Sequence, residues 1–145
     1  MDIERLVPGD EERVVAASRL FDGPAKFEWA HEFLMSPGHH LLFATVDGVE
    51  AGFVSGVEMT HPDKGTEMLL YELGVDEPFQ RQGIGRSLVQ ALAEVAREEG
   101  CYGMWVLTDD DNDAAIATYV RGGAKASDPQ VLLEWAFPEE PAPEG

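Results

Sequence analysis

Residue types and spacing point to two kinds of chemistry in this chain, anion binding and proton transfer. In Gln80-Arg81-Gln82-Gly83-Ile84-Gly85-Arg86-Ser87 two glycines open an apolar-periodic run. The first amides of a helix lack intrahelical partners and sit at the positive end of its dipole, so such a turn can bind an anion. Gly83 and Gly85 carry no side chain to hold a phosphate off the backbone, and Arg81 and Arg86 add cationic charge. The spacing is neither the dinucleotide pattern GxGxxG nor the nucleotide pattern GxxxxGK(S/T). A tight strand–helix packing corner would use the same glycines without a ligand. For proton transfer, Glu72 is the only charged residue within the apolar run Met68–Val75. Burial would raise its pKa toward the range of a general base. A carboxylate paired purely for structure is the alternative.

The elements that must position these residues follow from periodicity. Met68-Leu69-Leu70-Tyr71-Glu72-Leu73-Gly74-Val75 is apolar enough for the centre of a sheet, and Pro78 ends it. Ile84, Leu88, Ala91, Leu92, Val95 and Ala96 recur at helical spacing up to Gly100. Upstream, Asp2–Leu6 reads as a strand, and Asp10 as the cap of a helix reaching about Arg19. A second helix covers about 25–35, with Phe27, Ala30, Phe33 and Leu34 inward. Its Glu28, Trp29 and Glu32 suit a solvated face better than a ligand. Leu41–Val46 and Val49–Val57 flank the hairpin turn Asp47-Gly48, so three strands form an antiparallel meander feeding the glycine turn. Neighbouring His39 and His40 point oppositely on a strand and do not chelate together, so no metal site is expected. Downstream, Tyr102–Leu107 reads as a buried strand parallel to the central one, with Cys101 a small buried hydrophobe. A helix follows over 114–121, then a short strand over 124–127 and a last strand, Val131–Phe137. Residues 1–137 read as one domain and 138–145 as a disordered acidic tail.

Gln80-x-x-Gly83-x-Gly85 after a buried strand resembles the acetyl-CoA pyrophosphate loop of the GNAT acetyltransferases. Asn112-x-x-Ala115-x-x-x-Tyr119-x-x-x-Gly123 is similar to that family's segment carrying a tyrosine that faces the thiolate. The resemblance covers roughly Tyr71 to Gly123. It implies a GNAT fold of the α/β (α+β) class: a mixed sheet of six to seven strands, splayed between its two central parallel strands, with about four helices. It further implies acetyl-CoA held by Leu73, Gly74, Val75, Gln80, Arg81, Gln82, Gly83, Ile84, Gly85, Arg86, Ser87, Asn112 and Tyr119. Leu73–Val75 would pair with the pantetheine arm, Gly74 forming a bulge that opens the slot. Tyr119 would protonate the departing thiolate, and Glu72 would take the proton from the amine. Tyr71–Val75, Arg81–Ile84 and the acidic run after Val106 look most like the aminoglycoside 3-N-acetyltransferases. Where those enzymes carry aspartate, position 72 is glutamate. Asp109, Asp110 and Asp111 would then meet a cationic acceptor, or form a solvated loop.

Composition bounds these readings. The 145 residues are 44% hydrophobic and 26% charged, with a net charge of −18, one cysteine and no apolar run of membrane-spanning length. The charge argues against nucleic acid as a partner and would attract a polycation to an acidic cleft, or it serves solubility alone; it chooses no substrate by itself, and the polycationic small molecule that the resemblance implies is an aminoglycoside. A polyamine, an amino-acid derivative or a protein amine are other acceptors, and a non-catalytic acyl-CoA-binding domain is the alternative outside enzymes. No membrane association and a cytoplasmic location are expected. The sequence leaves a homodimer open.

Overall fold

A computed structural model of the chain describes residues 1–138. Five strands lie in the order β1-β2-β3-β4-β5: β1 (Asp2–Arg5), β2 (His39–Val46), β3 (Val49–His61), β4 (Gly65–Val75) and β5 (Met104–Trp105). The first four pair antiparallel, and β5 runs parallel to β4. The helices are α1 (Glu11–Ala16), α2 (Phe27–Met35), α3 (Ile84–Glu98) and α4 (Asp113–Arg121), with short 3-10 turns at Ser18–Leu20 and Glu77–Phe79.

Apolar residues leave each face of the sheet toward a separate core. On one face Leu42, Val54, Met68 and Leu70 pack against Ile84, Leu88 and Leu92 of α3. Gly56 of β3 permits the close approach, since a Cβ there would lie 2.9 Å from the Leu92 methyls. On the other face Leu41, Phe43 and Phe53 meet Val14, Leu20 and Ala30 from α1, the turn after it and α2. Burial of this two-sided kind is what sets the register of the sheet.

Two irregularities shape the far end of β4. Ser55 pairs with Glu72 but Gly56 pairs with Leu70, so Tyr71 is an extra, bulged residue. Met68 and Leu70 before the bulge and Leu73 and Val75 after it all pack on the α3 side. With strict alternation Glu72 would share that face; the bulge turns it to the α1–α2 side. The bulge expected at Gly74 is therefore displaced to Tyr71. Gly74 is needed for space, because its Cβ would lie 2.7 Å from the Phe53 ring and 2.9 Å from the Leu20 carbonyl oxygen. The second irregularity is the splay. The β4–β5 ladder holds only Met68 with Met104 and Leu69 with Trp105. Glu67 clamps that end, accepting hydrogen bonds from the Tyr102 hydroxyl and, at 2.7 Å, from Trp105 Nε1. Beyond it, β4 has no strand partner on its β5 side among the described residues.

Several expectations need correction. The described residues form five strands, not six to seven. β5 is two residues long, and Trp105 and Leu107 are exposed, not buried. Residues 124–138 have no regular structure, and Val131, Trp135 and Phe137 are 78–85% exposed. An apolar run signals a need for burial, but so short an edge offers too few ladder bonds to order another strand. Asp10 precedes α1 but its carboxylate accepts from the Val7 amide at 2.8 Å, so the cap bond is missing and the helix ends at Ala16. Phe27 faces solvent. The tail expected over 138–145 lies outside the described residues apart from Pro138.

Candidate active site

The glycine turn is built by two left-handed residues. Arg81 has φ +64° and Gly83 φ +82°, a conformation that glycine adopts without the strain a Cβ brings. Gly83 precedes α3 with no side-chain cap, and the first helical bond runs from the Ser87 amide to its carbonyl at 3.0 Å. The amides before Ser87 are left with no bond inside the helix. No atom of another element lies within 4 Å of a Cβ built on Gly83, so its approach is open. Gly85 serves packing instead: its Cβ would lie 3.1 Å from Thr118 Cγ2 of α4. Ile84 is buried in the core, whereas Gln80, Arg81, Gln82 and Arg86 are exposed. Gln80 Nε2 donates to the Val75 carbonyl at 3.0 Å and Gln82 Nε2 to that of Pro78 at 3.3 Å, which ties the turn to the end of β4. An anionic, extended ligand fits this combination of open turn, free amides, two unpaired arginines among the described residues and the edge of Leu73–Val75, which lacks a strand partner although Gln80 occupies the Val75 carbonyl.

Glu72 and Tyr119 converge at that open end. Both line a cavity of about 240 Å³ with Leu20, Asp22, Leu73 and Gly74. Burial, seconded by the charge of Asp22, pushes the Glu72 carboxyl above its ordinary range. Burial also raises the Tyr119 phenol, which keeps it protonated at neutral pH. Among the described residues the Tyr119 hydroxyl has no hydrogen-bond partner. The Glu72 amide donates to Ser55 Oγ at 3.2 Å, which fixes the backbone just past the bulge. A proton acceptor and a proton donor thus face one small space.

A second cavity of about 370 Å³ shares Tyr71 and Glu72 with the first and extends beneath α2, with Trp29, Phe33 and His39 in its wall. Trp29, read from sequence as part of a solvated face, is a wall of this space, while Glu28 and Glu32 are not. Asp109, Asp110 and Asp111 are exposed and line neither cavity. Asn112 caps α4, its Oδ1 accepting from the Ala115 amide at 3.1 Å. His40 is buried against Glu58 at 2.7 Å. Cys101 is half-buried, and burial raises its thiol pKa. Among the described residues no three His, Cys, Asp or Glu side chains cluster as metal ligands, and no helix is long and apolar enough to cross a membrane.

Sequence reasoning missed Asp22, which lies in Phe21-Asp22-Gly23-Pro24 between the two expected helices. Phe21 anchors this segment, its ring 4.4 Å from that of Phe53. Arg19, just before it, bonds Asp76 Oδ2 at 3.1 Å, so the segment sits over the end of β4. An aromatic followed by an acid just before Gly23-Pro24 was the available signal.

Residues 10–123 match the model of the acetyltransferase (GNAT) family. Mycothiol acetyltransferase of Salinispora arenicola is 34% identical over 116 residues, 76% of this chain, but the chain spans only 34% of that protein's length. An aminoglycoside acetyltransferase from an uncultured soil metagenomic sample, solved with sisomicin, superimposes with a TM-score of 0.85 at 22% identity, covering 94% of this chain and 96% of that one. The aminoglycoside acetyltransferase AAC(6')-Iy, solved with a bisubstrate analogue of CoA and acetylneamine, gives 0.80 at 18% identity, covering 94% and 98%. At these identities the structural likenesses speak to the fold.

Proposed function

The chain belongs to the acetyltransferase (GNAT) family, which uses acetyl-CoA, and from that premise we propose that it acetylates a primary amine held between α2 and β4. The observation that carries this reading is the convergence of Glu72 and Tyr119 on one cavity beside the open glycine turn. Acetyl-CoA supplies an acetyl thioester. In the proposed arrangement the free amides within the Gln80–Ser87 turn, those between Gln80 and Ser87, hold its phosphates with Arg81 and Arg86. The unpaired edge at Leu73, Gly74 and Val75 aligns the pantetheine arm, and Asn112 stands beside it at the start of α4. Glu72, half-buried and therefore more basic than an exposed carboxylate, takes the proton of the incoming ammonium. The amine nitrogen then bonds to the acetyl carbon as the carbon–sulfur bond breaks, and Tyr119 gives its proton to the sulfur. The surplus proton on the nitrogen passes to the phenolate as the amide forms, and Glu72 releases the proton it took to solvent. Transfer is direct, with both substrates bound, and takes place in the cytoplasm.

Two acceptor classes compete. The net charge of −18 and the pair Asp22 and Glu72 favour a polycation, such as an aminoglycoside modified at its 3-amine. The wall of the larger cavity favours an apolar amine. Under the first reading, neutralising Asp109, Asp110 and Asp111 to asparagine would flatten the salt dependence of KM for a polycationic acceptor; under the second it would change nothing.

The test of acetyl transfer itself is titration calorimetry with acetyl-CoA followed by thiol release with added amines. Micromolar-range binding and amine-dependent thiol release are expected. Binding without release from any amine would reduce the chain to an acyl-CoA-binding domain.

A further inference from the structure

The larger cavity is built for something other than a sugar bearing several ammonium groups. Its volume of about 370 Å³ lies near the low end of small-molecule pockets. Phe21, Trp29, Phe33, Leu41, Val57 and Tyr71 give it apolar walls. Glu72 is the one carboxylate in its wall among the described residues. Lys26, also at its wall, places Nζ 4.3 Å from the Trp29 ring centroid, so one face of that indole already carries a cation. A second or third ammonium entering here would meet an ammonium and aromatic walls without a counter-charge, which is unfavourable. Trp29 and Tyr71 are nevertheless 61% and 66% exposed, large faces left bare around the cavity. Bare aromatic surface next to a half-buried acid is the pattern of a site that takes a ligand with one polar end.

We propose that the acceptor is a single primary amine on an aromatic or branched-aliphatic body, which fills the cavity beneath Trp29 and presents its nitrogen to Glu72. The inference rests on the acetyl-transfer reading. The bulge explains the geometry: one extra residue on β4 sets Tyr71 as a wall and Glu72 as the polar end of the same space. Burying the body supplies affinity, and a single carboxylate suffices for a single ammonium.

The experiment compares kcat/KM for acetyl transfer to propylamine, pentylamine, phenethylamine, spermidine and an aminoglycoside at one ionic strength. A methylene fully removed from water is worth about fourfold in affinity. Pentylamine, with two more methylenes, should therefore exceed propylamine by about 15-fold, and phenethylamine should exceed both polycations by at least that factor. Trp29→Ala, a change at an exposed position, should raise KM for phenethylamine about tenfold and for propylamine by less, while leaving KM for acetyl-CoA within twofold. Preference for a polycation, or a flat alkylamine series, would overturn the inference and leave acetyl transfer standing. Should no amine be acetylated, acetyl transfer fails, and binding still judges the cavity. Phenethylamine should change the tryptophan fluorescence of the wild type and not that of Trp29→Phe, and no change in the wild type would overturn it.

Discussion

The two sides of β4 were assembled in different ways. On the α3 side, strand, turn and helix are one continuous stretch, and each part dictates the next. Val75 ends β4, the 3-10 turn at Glu77–Phe79 comes next, and left-handed Arg81 and Gly83 launch α3. On the α1–α2 side, the wall is gathered from α1, the loop bearing Phe21 and Asp22, α2, and strands β2, β3 and β4. The first side can bind an anion through backbone alone. The second depends on side chains whose meeting is set by packing, so it is the side where acceptor choice can change without disturbing the cofactor turn.

That contrast can be broken from either side. The largest effect is expected where the sides meet. Glu72→Gln keeps shape and removes the base, and kcat should fall about 100-fold or more with acetyl-CoA affinity within twofold. Steady-state kinetics with a saturating amine measures this. Tyr119→Phe removes one hydroxyl and should lower kcat by about 10- to 100-fold, again with the acetyl-CoA dissociation constant held. On the cofactor side alone, Gly83→Val puts a β-branched residue at φ +82°. Backbone strain of about 1–3 kcal/mol should reshape the turn and weaken acetyl-CoA by about five- to 150-fold, while Trp29 fluorescence still reports amine binding.

The smallest effect concerns stability. Because burial raises the folded-state pKa of Glu72, the native chain binds more protons than the unfolded chain between the ordinary carboxylate pKa and that raised value. Stability from this group therefore falls as pH rises across that window. Glu72→Gln should melt slightly above the wild type at pH 7, and the two should converge below about pH 4, as thermal scans at both pH values would reveal.

The same contrast explains what the sequence made legible. α3 runs from Ile84 to Glu98, as the spacing of Leu88, Leu92 and Ala96 and the stop at Gly100 implied. The meander and the parallel β4–β5 pairing also stem from turn residues and segment lengths. All of these are local signals. The bulge at Tyr71 is not local, since it exists only in the pairing of Glu72 with Ser55 and of Leu70 with Gly56. Asp22 reaches the site because Phe21 packs on Phe53, a contact across 32 positions of the chain. The strand expected over Val131–Phe137 failed for the same reason: its apolar run was plain, and the partner it required was not.

The central claim is that Glu72 is the base of an acetyl transfer. The pH dependence of kcat, taken for the wild type and for Glu72→Gln with the same saturating amine, tests it most directly. The wild type should lose rate as pH falls through a pKa above the ordinary carboxylate range, and the variant should lack that limb. An identical acid limb in both proteins, at comparable rates, would mean that the proton leaves the amine by another route.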